Sequence, residues 1–224
     1  MTFILTIETT TKNCSVALFK DQELIKLKEE VSEKYTHAEK LTLFIKEVIG
    51  FSKINLQDIG AVAISKGPGS YTGLRIGTAI AKGLCYALEI PLISVSTLKA
   101  MAFSMSEAGD YAFFCPMIDA RRMEVFSAIY DKNFLELREV KSDVITQESY
   151  KELLKKGKIL FFGNNILRFK EIIDDNNAYF IDKVFPSAAN LGILAYDIFK
   201  SNNFEDVAYF EPYYLKDFII GKKS

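Results

Sequence analysis

The sequence predicts an α/β protein of two duplicated lobes, each a mixed sheet with an antiparallel three-strand meander and flanking helices. Three observations carry that expectation. Residues 3–31 contain three strand patterns in succession. A second set in the same order begins at Phe113. Between them, the run Ala61-Val62-Ala63-Ile64-Ser65, a glycine-rich turn and an apolar-periodic segment ending near Leu88 read as strand, turn and helix. At 224 residues the chain can bury a full core in this form.

Phe3-Ile4-Leu5-Thr6-Ile7-Glu8 is a strand that ends in a carboxylate. A polar run from Thr9 to Asn13 turns the chain into Ser15–Phe19, and Lys20-Asp21-Gln22-Glu23 leads into the third strand, Leu24 to Val31. Thr36-x-x-Glu39 is a capping box that opens a helix. Leu41, Phe44, Ile45, Val48 and Ile49 form its apolar face, and Gly50 ends it. His37 falls at the first helical position, where a surface or partly packed imidazole is expected, because no nucleophile is paired with it.

The glycine turn is Lys66-Gly67-Pro68-Gly69-Ser70-Tyr71-Thr72-Gly73-Leu74-Arg75-Ile76-Gly77. Two glycines around a proline let the backbone double back with positive φ and still enter a helix. Helix entry leaves backbone N–H groups free, so the shape suits an anion. Yet Gly67-x-Gly69-x-x-x-Gly73 misses the dinucleotide fingerprint by one residue, and no Gly-Lys-Ser/Thr follows. Gly73, Gly77 and Ala81 recur at intervals of four and make a stripe for close backbone approach, either inside the fold or at a subunit contact. Pro91–Val95 is the next strand, and Ser96-Thr97 caps a helix to about Ser106.

Ala108-Gly109-Asp110 divides an N-terminal lobe, 1–106, from a C-terminal lobe, 107–224. The strand Phe113–Ile118 ends at Asp119, a polar turn passes Arg121 and Arg122, and strands follow at Val125–Tyr130 and Leu135–Val140. Without a gap, Glu8 aligns with Asp119, Ala17 with Ala128, Leu18 with Ile129 and Phe19 with Tyr130, which argues for duplication. A helix from Gln147 to Lys155, a strand Lys158–Phe162, a helix after Gly163-Asn164-Asn165, a short strand Tyr179–Ile181 and a capped helix from Ser187 through Leu191, Leu194, Ala195 and Ile198 complete the lobe. The aromatic tail, 208–224, is too apolar to float free and is expected to pack back on the first lobe or on a partner.

The formal charge of −1 gives no global basic field for nucleic acid; Lys216 and Gly221-Lys222-Lys223 make only the end basic. Cys14, Cys85 and Cys115 sit in apolar contexts and read as free thiols in a reducing compartment. With one histidine and no Cys-x-x-Cys, no zinc site of nitrogen and sulfur ligands is expected. The chain shows no basic leader and no apolar segment long enough to span a bilayer, so a cytoplasmic protein without membrane contact is expected.

Two lobes that each open with a three-strand meander and an acidic strand end resemble the actin-like (ribonuclease H-like) fold of actin, sugar kinases and Hsp70 chaperones. Ile7-Glu8-Thr9-Thr10, the long glycine motif, Pro91-Leu92-Ile93-Ser94-Val95-Ser96-Thr97-Leu98, Asp119-Ala120-Arg121 and Pro212-Tyr213-Tyr214-Leu215 are similar, in that order, to the TsaB (YeaZ) family. The resemblance implies a non-catalytic subunit of the machinery that places threonylcarbamoyl on N6 of the adenosine 3′ of the anticodon in tRNA. It implies a TsaD-like catalytic partner, a TsaE-like ATPase recruited to the pair, tRNA reached through the complex, and a homodimer when the chain is isolated. The catalytic relative holds its metal with a His-x-x-x-His motif; Thr97 and Met101 stand at those positions here, and neither replaces a neutral imidazole. The subunit contact is expected on the first-lobe helices, at Gly73, Gly77, Ala81, His37 and Leu41. No catalytic residue, metal or required cofactor is expected. Glu8 and Asp119 mark the place of an ATP/Mg²⁺ cleft in nucleotide-using relatives, and Arg121 and Arg122 suit phosphate or plain solvation. An autonomous ATPase or kinase, and less so a peptidase, are the competing readings.

Overall fold

The computed structural model describes residues 1–33, 36–121 and 123–216. Two five-stranded mixed sheets form its frame. The first comprises β1 (Phe3–Glu8), β2 (Asn13–Lys20), β3 (Glu23–Val31), β4 (Ile59–Ser65) and β5 (Leu92–Val95), in the order β3-β2-β1-β4-β5. The second comprises β6 (Phe113–Arg121), β7 (Glu124–Asp131), β8 (Glu136–Val144), β9 (Ile159–Gly163) and β10 (Ala178–Ile181), in the order β8-β7-β6-β9-β10. The order is the same in both: an antiparallel meander, then two parallel strands beside the first of the three. The duplicated α/β architecture is therefore present, although the gapless alignment is not kept. Glu8 pairs with Ser15, but Asp119 pairs with Val125 rather than with Phe126, the residue aligned to Ser15. Side chains alternate along a strand, so a one-residue slip reverses the face. Glu8 shares the face of Ile4 and Ala17, whereas Asp119 lies on that of Met117 and Val125.

Helices α1 (His37–Ser52) and α2 (Tyr71–Leu88) cover one face of the first sheet, packing Leu41, Phe44, Val48, Ala81 and Cys85 on Leu5, Ile7, Val16 and Val62. The central strands are apolar on both sides, which demands cover on the second face too. That cover crosses between the halves. Helix α5 (Gly192–Lys200) and the 3-10 turn Ala188–Asn190 place Ala188, Leu191 and Ala195 on Ile4, Ala17, Phe19 and Ala61 of the first sheet. Helix α3 (Thr97–Phe103) places Leu98, Met101 and Ala102 against Ile118, Phe126 and Ala128 of the second. Across the expected 106/107 boundary, each sheet thus borrows a helix from the other half of the chain. Within the described part of the tail, Phe210 enters the first-lobe core, and half-buried Leu215 packs against the cluster of α3 and the second sheet. Residues 217–224, with Gly221-Lys222-Lys223, and Arg122 lie outside the described residues.

Local expectations shift where side chains find other partners. No side-chain cap forms at Thr36, whose hydroxyl lies 3.4 Å from that of Ser32, and α1 runs past Gly50 to Ser52 with Lys53 in the left-handed region. The helix expected over 147–155 shrinks to α4 (Lys151–Leu154), because Tyr150, at φ 66°, is held by hydrogen bonds of its hydroxyl to Asp143 and Ser127. The helix expected after Asn165 is one 3-10 turn, Leu167–Phe169. Ser187 caps only the short Ala188–Asn190 turn, and α5 starts separately.

Candidate functional site

A cleft of about 1020 Å³ lies between the lobes. Lys12 and Ser70–Thr72 of the first lobe face Asp119, Arg121, Asn165 and Lys183 of the second, with Met101 among the lining residues. Of the two strand-end carboxylates, only Asp119 reaches it. Glu8 is wholly buried: Oε1 accepts hydrogen bonds from the Thr10 amide (2.6 Å) and hydroxyl (2.5 Å), and Oε2 pairs with the Ser65 hydroxyl. Burial raises its pKa against these bonds. Asp119 accepts from the Arg121 amide (2.9 Å), the Asn165 amide (3.2 Å) and the Arg168 guanidinium (2.6 Å). Burial pushes its pKa up, but these three donors outweigh it and hold the carboxyl below its usual range. One carboxylate is inside the core and the other is bound to an arginine, so the pair does not fit a divalent cation. Among the described residues no group of His, Cys, Asp and Glu assembles a metal site.

Glu8 gives a pH prediction. Its folded pKa exceeds its unfolded value, so between the two the folded state binds more protons and stability falls as pH rises. That cost is absent below about pH 4.5 and complete above the raised folded value. Glu8→Gln will flatten the decline: melting curves from pH 4 to 8 will show the wild-type Tm dropping relative to the variant, and parallel curves would contradict a carboxyl whose burial outweighs its hydrogen bonds.

The glycine turn is occupied by its own chain. The Ser70 amide donates to the Thr10 carbonyl (2.6 Å), and the Ser70 hydroxyl caps α2 by accepting from the Gly73 amide (3.3 Å). A Cβ on Gly73 would stand 2.0 Å from the Thr9 carbonyl oxygen, and one on Gly77 2.3 Å from Thr9 Oγ1. Only glycine lets α2 lie this close to the end of β1. Thr97, at the first of the two positions equated with metal ligands, serves the turn instead: its hydroxyl accepts from the Gly67 amide (3.2 Å) and its amide donates to the Gly67 carbonyl (3.1 Å). Met101 is buried against the second lobe.

These contacts draw the residues expected at the subunit surface into the fold. Gly73, Gly77, Ala81, His37 and Leu41 are all buried within the chain. His37 Nε2 lies 2.8 Å from the Thr11 carbonyl, and burial, only partly offset by that bond, lowers its pKa. It is a core imidazole rather than a surface one. The outward sides of the same helices carry Leu43, Phe51 and Tyr86, which are 53%, 62% and 83% exposed, beside the small exposed residues Thr72, Ala79 and Gly83. Sequence reading missed this face because α2 is apolar nearly all round: half-buried Ile76, Ile80 and Leu84 repeat at helical spacing as well as Gly73, Gly77 and Ala81 do.

No nucleophile stands out in the described part. Burial raises the Cys14 thiol to about 11 and those of Cys85 and Cys115 to about 12. Ser127, fully buried, belongs to a cluster with Arg138, Asp143 and Tyr150 that knits β7, β8 and α4 together.

Comparison with known proteins agrees with this geometry. The family model described as "TsaD: tRNA N6-adenosine threonylcarbamoyltransferase" matches residues 29–209. The tRNA threonylcarbamoyladenosine biosynthesis protein TsaB of Escherichia coli (strain K12) is 30% identical, over 98% of this chain and 97% of its own length. Its namesake from Haemophilus influenzae is 28% identical, over 98% and 96%. The fold matches that of YeaZ from Pseudomonas aeruginosa with a TM-score of 0.84 at 22% identity, covering 96% of this chain and all of the other. The chain belongs to the TsaB (YeaZ) family of tRNA threonylcarbamoyladenosine biosynthesis proteins.

Proposed function

We propose that this chain is a non-catalytic subunit of the assembly that makes threonylcarbamoyladenosine in tRNA, and that it docks a TsaD-like catalytic subunit through the outward faces of α1 and α2. The observation that carries the reading is a contrast. Groups able to do chemistry are buried or bound, as in Glu8, Asp119, His37 and the three thiols. Two neighbouring helices, meanwhile, leave large apolar side chains in water. Exposed aromatic and aliphatic groups beside small residues suit close helix-to-helix contact. A Cβ on Gly83 would meet nothing within 4 Å, so a partner helix has room to approach there. With no partner present, a second copy of the chain takes the same face with two-fold symmetry. A TsaE-like ATPase joins the assembled pair, and tRNA is engaged through the complex. The chain itself requires no cofactor.

Light scattering on a chromatographed mixture with a TsaD-like subunit tests the docking. A single species with the mass of both chains is expected, and separate elution at micromolar concentration would refute it. The ATPase or kinase reading makes the opposite claim about the cleft. Titration of Mg²⁺–ATP into the chain alone is expected to give no binding heat, since neither strand-end carboxylate is free for the ion; saturable heat abolished by Asp119→Asn would favour that reading. The peptidase reading needs an activated nucleophile, and no exposed low-pKa thiol or serine–histidine pair stands among the described residues.

A further inference from the structure

We propose that the glycine turn is a docking site for this chain's own segment 205–216, which straps the second lobe to the first and sets the width of the cleft. The segment is fastened at successive points. The Glu205 amide donates to the Leu92 carbonyl (2.9 Å), and Lys82 Nζ donates to the carbonyls of Ala208 (3.0 Å) and Phe210 (3.2 Å). Phe210 is buried in the first-lobe core. The Tyr213 amide then donates to the Lys66 carbonyl (2.7 Å), directly before the turn.

Gly67 has φ +108°, a backbone that L side chains rarely adopt, and a Cβ there would stand 2.7 Å from the Tyr213 carbonyl oxygen. The space that a glycine turn offers to a ligand is thus taken by Tyr213. Beyond it, the Tyr214 ring packs on Tyr71 with centroids 5.0 Å apart, half-buried Leu215 packs against the cluster that α3 forms with the second sheet, and Lys216 pairs with Glu124 at the start of β7. The Lys216 ammonium also sits over the Phe126 ring. Tyr71 and Phe126 line the cleft from opposite lobes, so the strap spans its edge.

Hydrogen exchange on the full chain, resolved by residue, tests this with two variants. In Gly67→Val the Tyr213 amide is expected to exchange at least tenfold faster, together with amides of β7 near Glu124, while β1 and β4 keep their protection. Leu215→Ser, which leaves the residues of the turn itself unchanged, is expected to speed the same two groups. If Gly67→Val also exposes β1 and β4, Leu215→Ser alone decides. Unchanged Tyr213 protection in Leu215→Ser overturns the proposal, and so does loosening confined to 213–216 with β7 unaffected, because a passive tail would behave that way.

Discussion

Ala81→Arg will unfold the isolated chain rather than merely detach a partner. Ala81 has no exposed surface and packs in the cluster that joins α1 and α2 to Leu5, Ile7, Val62 and Ile64. A guanidinium there would be buried without a counter-charge, at a cost of several kcal/mol, and its bulk would add about 1–3 kcal/mol of overpacking. The sum is comparable with the whole stability of an ordinary domain, about 5–15 kcal/mol. Thermal melting of the purified variant is expected to show a Tm at least about 10 °C lower, or no cooperative transition. A folded variant with an unchanged Tm that no longer bound its partner would restore Ala81 to the subunit surface and contradict the packing described.

The outward face should behave in the opposite way. Tyr86→Asp and Leu43→Asp change side chains that are 83% and 53% exposed, so the isolated chain should keep its stability within about 0.5 kcal/mol. Buried at a helix-to-helix contact, each carboxylate would lose its water without gaining a partner. Losses of about 2 kcal/mol or more are typical for central aromatic anchors, which corresponds to at least about 30-fold weaker association. Sedimentation or calorimetry with a TsaD-like subunit reads this loss, and the melting curve reads the control. Full affinity in both variants would remove α1 and α2 from the interface.

Much of the frame is legible in the residues because strand alternation is a local signal: Phe3–Glu8, Val125–Tyr130 and the run Ala61–Ser65 all fall on strands. Features that depend on distant parts of the chain are not. The one-residue slip at Asp119 leaves the apolar pattern of β6 looking like that of β1, yet it turns the carboxylate to the opposite face. Nothing in Ser187–Ile198 says which sheet it covers, since an apolar helix face fits either one. Glu8 resembles any strand-end acid until Ser65, on the neighbouring parallel strand, is seen to close over it. The same limit applies to the glycine motif. Its spacing shows that something approaches closely, and the fold shows that what approaches is Thr9, Thr10 and Tyr213 of the same chain.

Reconstitution of the tRNA modification is the most direct test of the central claim. Threonylcarbamoyladenosine formation would be followed with a TsaD-like subunit and the remaining components, without this chain, with it, and with Tyr86→Asp in its place. Formation that depends on the wild-type chain and falls with Tyr86→Asp is the predicted result. Equal product with and without the chain, or product from the chain with its catalytic partner left out, would contradict it.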